Sequence, residues 1–179
     1  LNIQPGLIAR CGFCLTGNSG GANQISYLLA HYGLDGIIDG ALPSGGPPFA
    51  ALAKSCMDLA SEKNYWLNND DRKTADATYG YPAGTGPCFT HDPSFLPRWL
   101  ADGVTTGGTD YTYPSTRLHF LIGSQDRIGV MARDYHDRVV LEGSPDVTWQ
   151  VVPNGGHTLM AAQSGRDAWL QAVTAAIDP

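Results

Sequence analysis

Residues 14–24 read CLTGNSGGANQ. Ser19 stands between glycines in a G-x-S-x-G frame, directly behind an apolar run. Such a frame either bends a strand sharply into a helix with the serine at the apex, or is a glycine-rich turn without chemistry. The flanks decide. Upstream, LIARCGFCLT (Leu7 to Thr16) is apolar enough for a buried strand. Downstream, GGANQISYLLAHYG places Ile25, Leu28, Leu29 and Tyr32 on one helical stripe. It ends at Gly33, a residue suited to the left-handed conformation that closes a helix.

The alternation of short apolar runs and helical patterns continues along the chain. DGIIDGAL (35–42) predicts a second strand, followed by the loop PSGGPP (43–48). RLHFLIG (117–123) predicts a third, and the helix behind it carries Ile128, Met131, Tyr135 and Val139 on one face. VTWQVVP (147–153) predicts a fourth, and a last helix is expected to bury Trp169, Leu170, Val173 and Ile177. The fold class expected is therefore α/β, with a mostly parallel sheet of about four strands and flanking helices. The whole of 1–179 reads as a single domain. Residues 48–113 have a different texture, rich in turn formers and aromatics, and are too long for a plain connection. They are expected to form a cap-like insertion between the second and third strands.

A chain of 179 residues is long enough for one sizeable core. The net charge of -6 and the lack of a basic cluster exclude an electrostatic nucleic-acid binder. No apolar run reaches the length of a membrane span, and no leader sequence is visible at Leu1. The four cysteines divide into two pairs. In CGFC, Cys11 and Cys14 would sit ~10 Å apart on a strand, too far to bridge, so they are expected to be buried core thiols. No second C-x-x-C completes a zinc site. Cys56 and Cys88 lie in the Gly/Pro/Asn-rich middle region, where a disulfide between them is expected, and with it an oxidising, secreted or periplasmic setting. His31, His91, His119 and His136 show no metal-ligand spacing with carboxylates, so no metal and no cofactor is expected.

A serine hydroxyl alone is a poor nucleophile and needs a base and an orienting acid. LHFLIGSQDRIGV supplies a strand, a turn and Asp126, and VTWQVVPNGGHTLM supplies a strand, a turn and His157. Asp39, Asp134 and Asp146 are worse placed for the acid. A trypsin-like reading of GNSGGA fails, because there the serine follows its partners on a β-barrel, whereas Ser19 precedes both and leads into a helix.

On GNSGG, GSQDRIGV and NGGHTLM the chain resembles the α/β-hydrolase superfamily, and specifically its C-terminal half from the nucleophile strand onward. The resemblance implies Ser19 as nucleophile, Asp126 as orienting acid and His157 as general base and acid. It also implies the Gly20 N–H at a helix N-terminus as an oxyanion donor. Asn18, Trp66 and Trp99 are the expected substrate contacts. The implied activity is acyl transfer to water from a small carboxylic ester. The chain departs from the pattern upstream of Ser19, where little precedes the first strand. The second oxyanion donor is left to the PSGGPP loop or to a partner, and the first strand becomes a sheet edge. A homodimer paired through that edge is the expected remedy. The rival reading is a catalytically impaired hydrolase-like binding or assembly domain, or a fragment of a longer hydrolase.

Overall fold

The computed structural model describes residues 12–57 and 67–177. Its described strands are β1 (Cys14–Asn18), β2 (Gly40–Ser44), β3 (Arg117–Gly123) and β4 (Val147–Val152). They form one sheet in the order β1-β2-β3-β4, with every neighbouring pair parallel. The described helices are α1 (Gly20–Tyr32), α2 (Leu52–Cys56), α3 (Asn69–Thr78), α4 (Pro87–Thr90), α5 (Leu96–Asp102), α6 (Ala132–Leu141) and α7 (Gln163–Ile177). Each parallel connection needs a crossover, and α1 and α6 provide the covering layer on one face. Helices α2 to α5 belong to the segment between β2 and β3, the insertion read from the sequence.

Strand β3 alternates faces, and the alternation divides the core in two. Leu118, Phe120 and Ile122 point toward α1 and α6 and pack with Ile25, Leu29, Ile38, Tyr135 and Val139. Leu121 points the other way and joins Leu42, Val152, Leu159 and Ala172 under α7. Among the described strands β1 is one edge of the sheet.

Several boundaries differ from the sequence reading. β1 begins at Cys14, because Gly12 and Phe13 are bent and the Phe13 N–H donates to the Asp39 carboxylate at 2.7 Å; Leu7 to Cys11 lie outside the described residues. β2 runs over 40–44 rather than 35–42, since Leu34–Gly36 forms a 3-10 turn. Asp35 in that turn accepts the N–H groups of Ser115 and Thr116 at 3.0 and 2.8 Å, which ties it to the entrance of β3. Gly33 does close α1 in the left-handed conformation. Tyr32, however, is 65% exposed, and the buried stripe of α1 runs through Ala22, Ile25, Ser26, Leu29 and Ala30. Leu170 on α7 is 59% exposed, while Ala168, Trp169, Ala172 and Val173 face the core.

The expectation for Cys14 is corrected. It is exposed and disulfide-bonded, because the strand starts only there and leaves it outside the core. Cys11 lies outside the described residues. The Cys56–Cys88 disulfide is present with Cα atoms 4.7 Å apart. It sits in a second core, made by Ala53, Leu67, Ala75 and Trp99 of the insertion together with Met131 from the segment after β3. Buried Arg72 donates to the carbonyls of Cys56 and Cys88 at 3.0 and 3.1 Å, and buried Asp76 accepts the Cys88 and Phe89 N–H groups at 2.8 and 2.9 Å. The bridge spans a sequence separation of 32, so loop-closure entropy alone assigns it roughly 3–4 kcal/mol. Replacing Cys56 and Cys88 together by Ala is expected to lower the unfolding free energy by about that amount. Urea denaturation checks this, and an unchanged midpoint would contradict the stapling role.

Candidate active site

In a parallel sheet all strands end at the same edge, so the loops after β1, β2, β3 and β4 converge. Ser19, Gly45, Asp126 and His157 stand in those four loops. Asp39 and Asp146, by contrast, precede β2 and β4 and so lie at the opposite edge. Asp134 on α6 pairs with Lys54 at 3.0 Å.

Ser19 follows β1 directly and precedes the first residue of α1, with φ 55° and ψ -112°. A non-glycine residue at positive φ is strained. The strain is held by backbone bonds on both sides: the Ser19 N–H donates to the Ser44 carbonyl at 3.0 Å, and the Asn23 N–H donates to the Ser19 carbonyl at 3.0 Å. The turn is so tight that a Cβ on Gly17 would lie 2.7 Å from the Gly21 carbonyl carbon. Gly17 is therefore required by close approach of strand to helix. Gly21 is not required in the same way, since a Cβ there would meet nothing within 4 Å.

Asp126 sits in the turn after β3, its N–H donating to Gly123 at 3.0 Å. Its carboxylate, fully buried, accepts the N–H groups of Gly129 at 2.7 Å and Ile128 at 3.2 Å through Oδ1. A Cβ on Gly129 would collide with that carboxylate. The loop after β4 is tied to the loop after β3 by two bonds, Gln125 N–H to Gly155 carbonyl and Asn154 N–H to Ser124 Oγ, both 2.8 Å. This fixes His157 over Asp126. A 3-10 turn, Leu159–Ala161, follows His157.

The result is a continuous line of polar atoms. His157 Nδ1 lies 3.0 Å from both oxygens of Asp126, and His157 Nε2 lies 2.7 Å from Ser19 Oγ. An ionised carboxylate only accepts, so Nδ1 carries the proton and Nε2 is left to accept from the serine hydroxyl. The His157 side chain is 29% exposed, so the end of the line that meets Ser19 is open to solvent. Gly20 is exposed, and a Cβ on it would meet nothing within 4 Å. Its N–H is one of those that a helix N-terminus cannot satisfy internally.

The remaining sequence-named residues fall as follows. Asn18 closes β1 and its amide is engaged with protein groups around Ser19. Trp99 is fully buried in the core of the insertion, edge-on to Phe95, and contact with a ligand would require that core to open. Trp66 lies outside the described residues. His31 stacks on Tyr27, and burial pulls its pKa down. His119 bonds to Gln150 and Thr148, and burial lowers it likewise. No group of three His, Cys, Asp or Glu side chains among the described residues is placed to hold a metal. Sequence reasoning missed Ser44, whose carbonyl anchors Ser19 and whose buried hydroxyl donates to Gly17 at 3.2 Å. A serine ending an otherwise apolar strand was the available signal.

Two concavities of about 650 and 640 Å³ lie beside the site rather than on it. One runs along α7, walled by Leu15, Leu42, His119, Gln150 and Trp169. The other lies between α1 and the insertion, walled by Asn23, Leu28, Phe49, Leu52 and Tyr79, and begins one helical turn beyond Ser19 at Asn23.

No protein-family model and no curated protein sequence matches the chain. Its fold does match solved structures. Carboxyl esterase 2 from the mycorrhizal fungus Tuber melanosporum superposes with a TM-score of 0.54 at 14% identity, over 89% of this chain and 50% of that one. A bromoperoxidase from Bacillus anthracis gives 0.49 at 16% identity, over 93% and 67%. A monoacylglycerol lipase from Paleococcus ferrophilus gives 0.48 at 17% identity, over 92% and 67%. The chain thus spans about half the length of the Tuber esterase. Four parallel strands, flanking helices and an insertion between β2 and β3 give it a truncated α/β-hydrolase-like fold.

Proposed function

We propose that the protein is a serine hydrolase that cleaves carboxylic esters through an acyl-enzyme on Ser19. The observation that carries this reading is the line from Ser19 Oγ to His157 Nε2 and from His157 Nδ1 to the buried Asp126 carboxylate. Ser19 Oγ attacks the ester carbonyl as its proton passes to His157 Nε2, and Asp126 stabilises the imidazolium that forms. The tetrahedral oxyanion is received by the Gly20 N–H at the positive end of α1. Collapse expels the alcohol, which takes the proton from Nε2. Water then attacks the acyl-enzyme with His157 as base, and the carboxylic acid leaves Ser19 protonated.

A second oxyanion donor is sought in the loop after β2. The Gly45 N–H is already given to Leu121 at 2.9 Å, and Pro47 and Pro48 have none, which leaves Gly46 as that loop's candidate beyond the strand. The apolar residues around the α1 concavity favour a neutral ester. The disulfides at Cys14 and at Cys56–Cys88 support an oxidising compartment, secreted or periplasmic.

The test is hydrolysis of p-nitrophenyl acetate and butyrate by the protein beside Ser19→Ala. Turnover that disappears in the variant supports the reading. Equal rates in both proteins would sink it and leave a hydrolase-like binding domain.

A further inference from the structure

We infer that Asn18 is a positioning residue of this site and not a substrate contact, an inference that rests on the serine-hydrolase reading above. In the amide orientation that matches donors to acceptors, Oδ1 accepts the Ser19 N–H at 3.2 Å. The Nδ2 group donates to the His157 carbonyl and to Ser44 Oγ, each at 3.3 Å. That leaves Ser44 Oγ free to donate onward to the Gly17 carbonyl at 3.2 Å. Both N–H bonds of the amide are spent on protein, so no donor remains for a ligand.

One side chain therefore joins the ends of three strands: its own β1, β2 through Ser44, and the loop after β4 through His157. Two of the residues it touches are those whose side chains meet at 2.7 Å. The Ser19 N–H is shared between Asn18 Oδ1 and the Ser44 carbonyl, which holds the serine at its positive φ. The bond to the His157 carbonyl sets the backbone from which the imidazole projects. Gly45 seals the space, because a Cβ there would lie 2.6 Å from the His157 carbonyl oxygen and 3.1 Å from the Asn18 amide group, at a φ of 55°. The chemistry selects the residue. Asp at position 18 would set an oxygen against the His157 carbonyl, and Ala would leave three polar groups without this partner.

The test reads the histidine directly and does not depend on turnover. In ¹⁵N-labelled protein the downfield His157 Nδ1–H resonance, assigned by its loss in His157→Gln, is compared between the protein and Asn18→Ala. Solvent exchange of that proton is expected to accelerate about tenfold, the weight of one net hydrogen bond. Ester hydrolysis is expected to lose about tenfold in kcat with KM unchanged, equally for acetate and butyrate. If Asn18→Ala does not fold, the isosteric Asn18→Asp is read in the same way, with the same direction expected. An unchanged resonance and kcat, with only a lowered Tm, would reduce Asn18 to a structural role and overturn the inference. A raised KM at constant kcat would make it a substrate contact and overturn it too. Turnover surviving in Ser19→Ala would instead sink the hydrolase reading, with the resonance still reporting on Asn18.

Discussion

Ser19→Ala is expected to lower kcat for p-nitrophenyl butyrate by roughly 10⁵-fold or more, to the background of the assay. The substitution removes one oxygen and little else. The backbone bonds that define the turn, Ser19 N–H to Ser44 and Asn23 N–H to Ser19, do not involve the side chain and persist. Alanine pays the same steric cost of positive φ as serine, so the variant is expected to fold as the parent does. What disappears is the acceptor of the acyl group. The Gly20 N–H and the imidazole remain, but an oxyanion donor and a base without a nucleophile can only assist direct attack by water. A fall of less than about a hundredfold would mean that hydrolysis proceeds without the acyl-enzyme.

Asp126→Asn is expected to lower kcat by about 10⁴-fold with the fold intact, and the reason lies in which oxygen is held by what. Oδ1 accepts the Gly129 and Ile128 N–H groups at 2.7 and 3.2 Å. In the variant those two donors fix the amide oxygen at that position, and the NH₂ group takes the place of Oδ2, 3.0 Å from His157 Nδ1. Nδ1 must then accept, and the ring proton moves to Nε2, where it faces Ser19 Oγ as a donor. The base is lost by a change of tautomer, with no atom displaced. The ¹⁵N shifts of the His157 ring check the tautomer, and steady-state kinetics check the rate. A variant that keeps its rate within about tenfold would show that Asp126 does not set the tautomer.

What the sequence made legible follows from how local each signal is. RLHFLIG reads as a strand over Arg117–Gly123, and the structure agrees to the residue, because both its faces are buried and a turn bounds it. β2 was misread because it runs through Pro43, which has no N–H to give. The pairing with β3 registers at Gly40, Ala41 and Ser44 and skips the proline. β1 was read too long because an apolar run alone does not show that the Asp39 side chain captures the Phe13 N–H and ends the strand. On α1 and α7 the apolar stripe favoured large residues, whereas the surfaces nearest the sheet are built largely from small ones such as Ala22, Ala30, Ala168 and Ala172. Tyr32 and Leu170 accordingly point outward.

The three side chains that meet in the site were legible for a topological reason. Each follows a strand in a parallel sheet, and parallel strands end together. The supporting shell was not. Ser44 acts through its carbonyl, which every residue has, and Asn18 acts by bridging loops that are distant in sequence. The disulfide state of Cys14 was missed because the apolar run was read as a strand that begins well before it, whereas β1 starts at Cys14.

The central claim is that Ser19 is a nucleophile activated by His157. Treating the protein with a fluorophosphonate and mapping the adduct by peptide mass spectrometry tests it most directly. The account predicts a single phosphonylated residue, Ser19, with labelling abolished in His157→Gln. An unlabelled Ser19 in folded protein, or labelling that His157→Gln leaves unchanged, would contradict it.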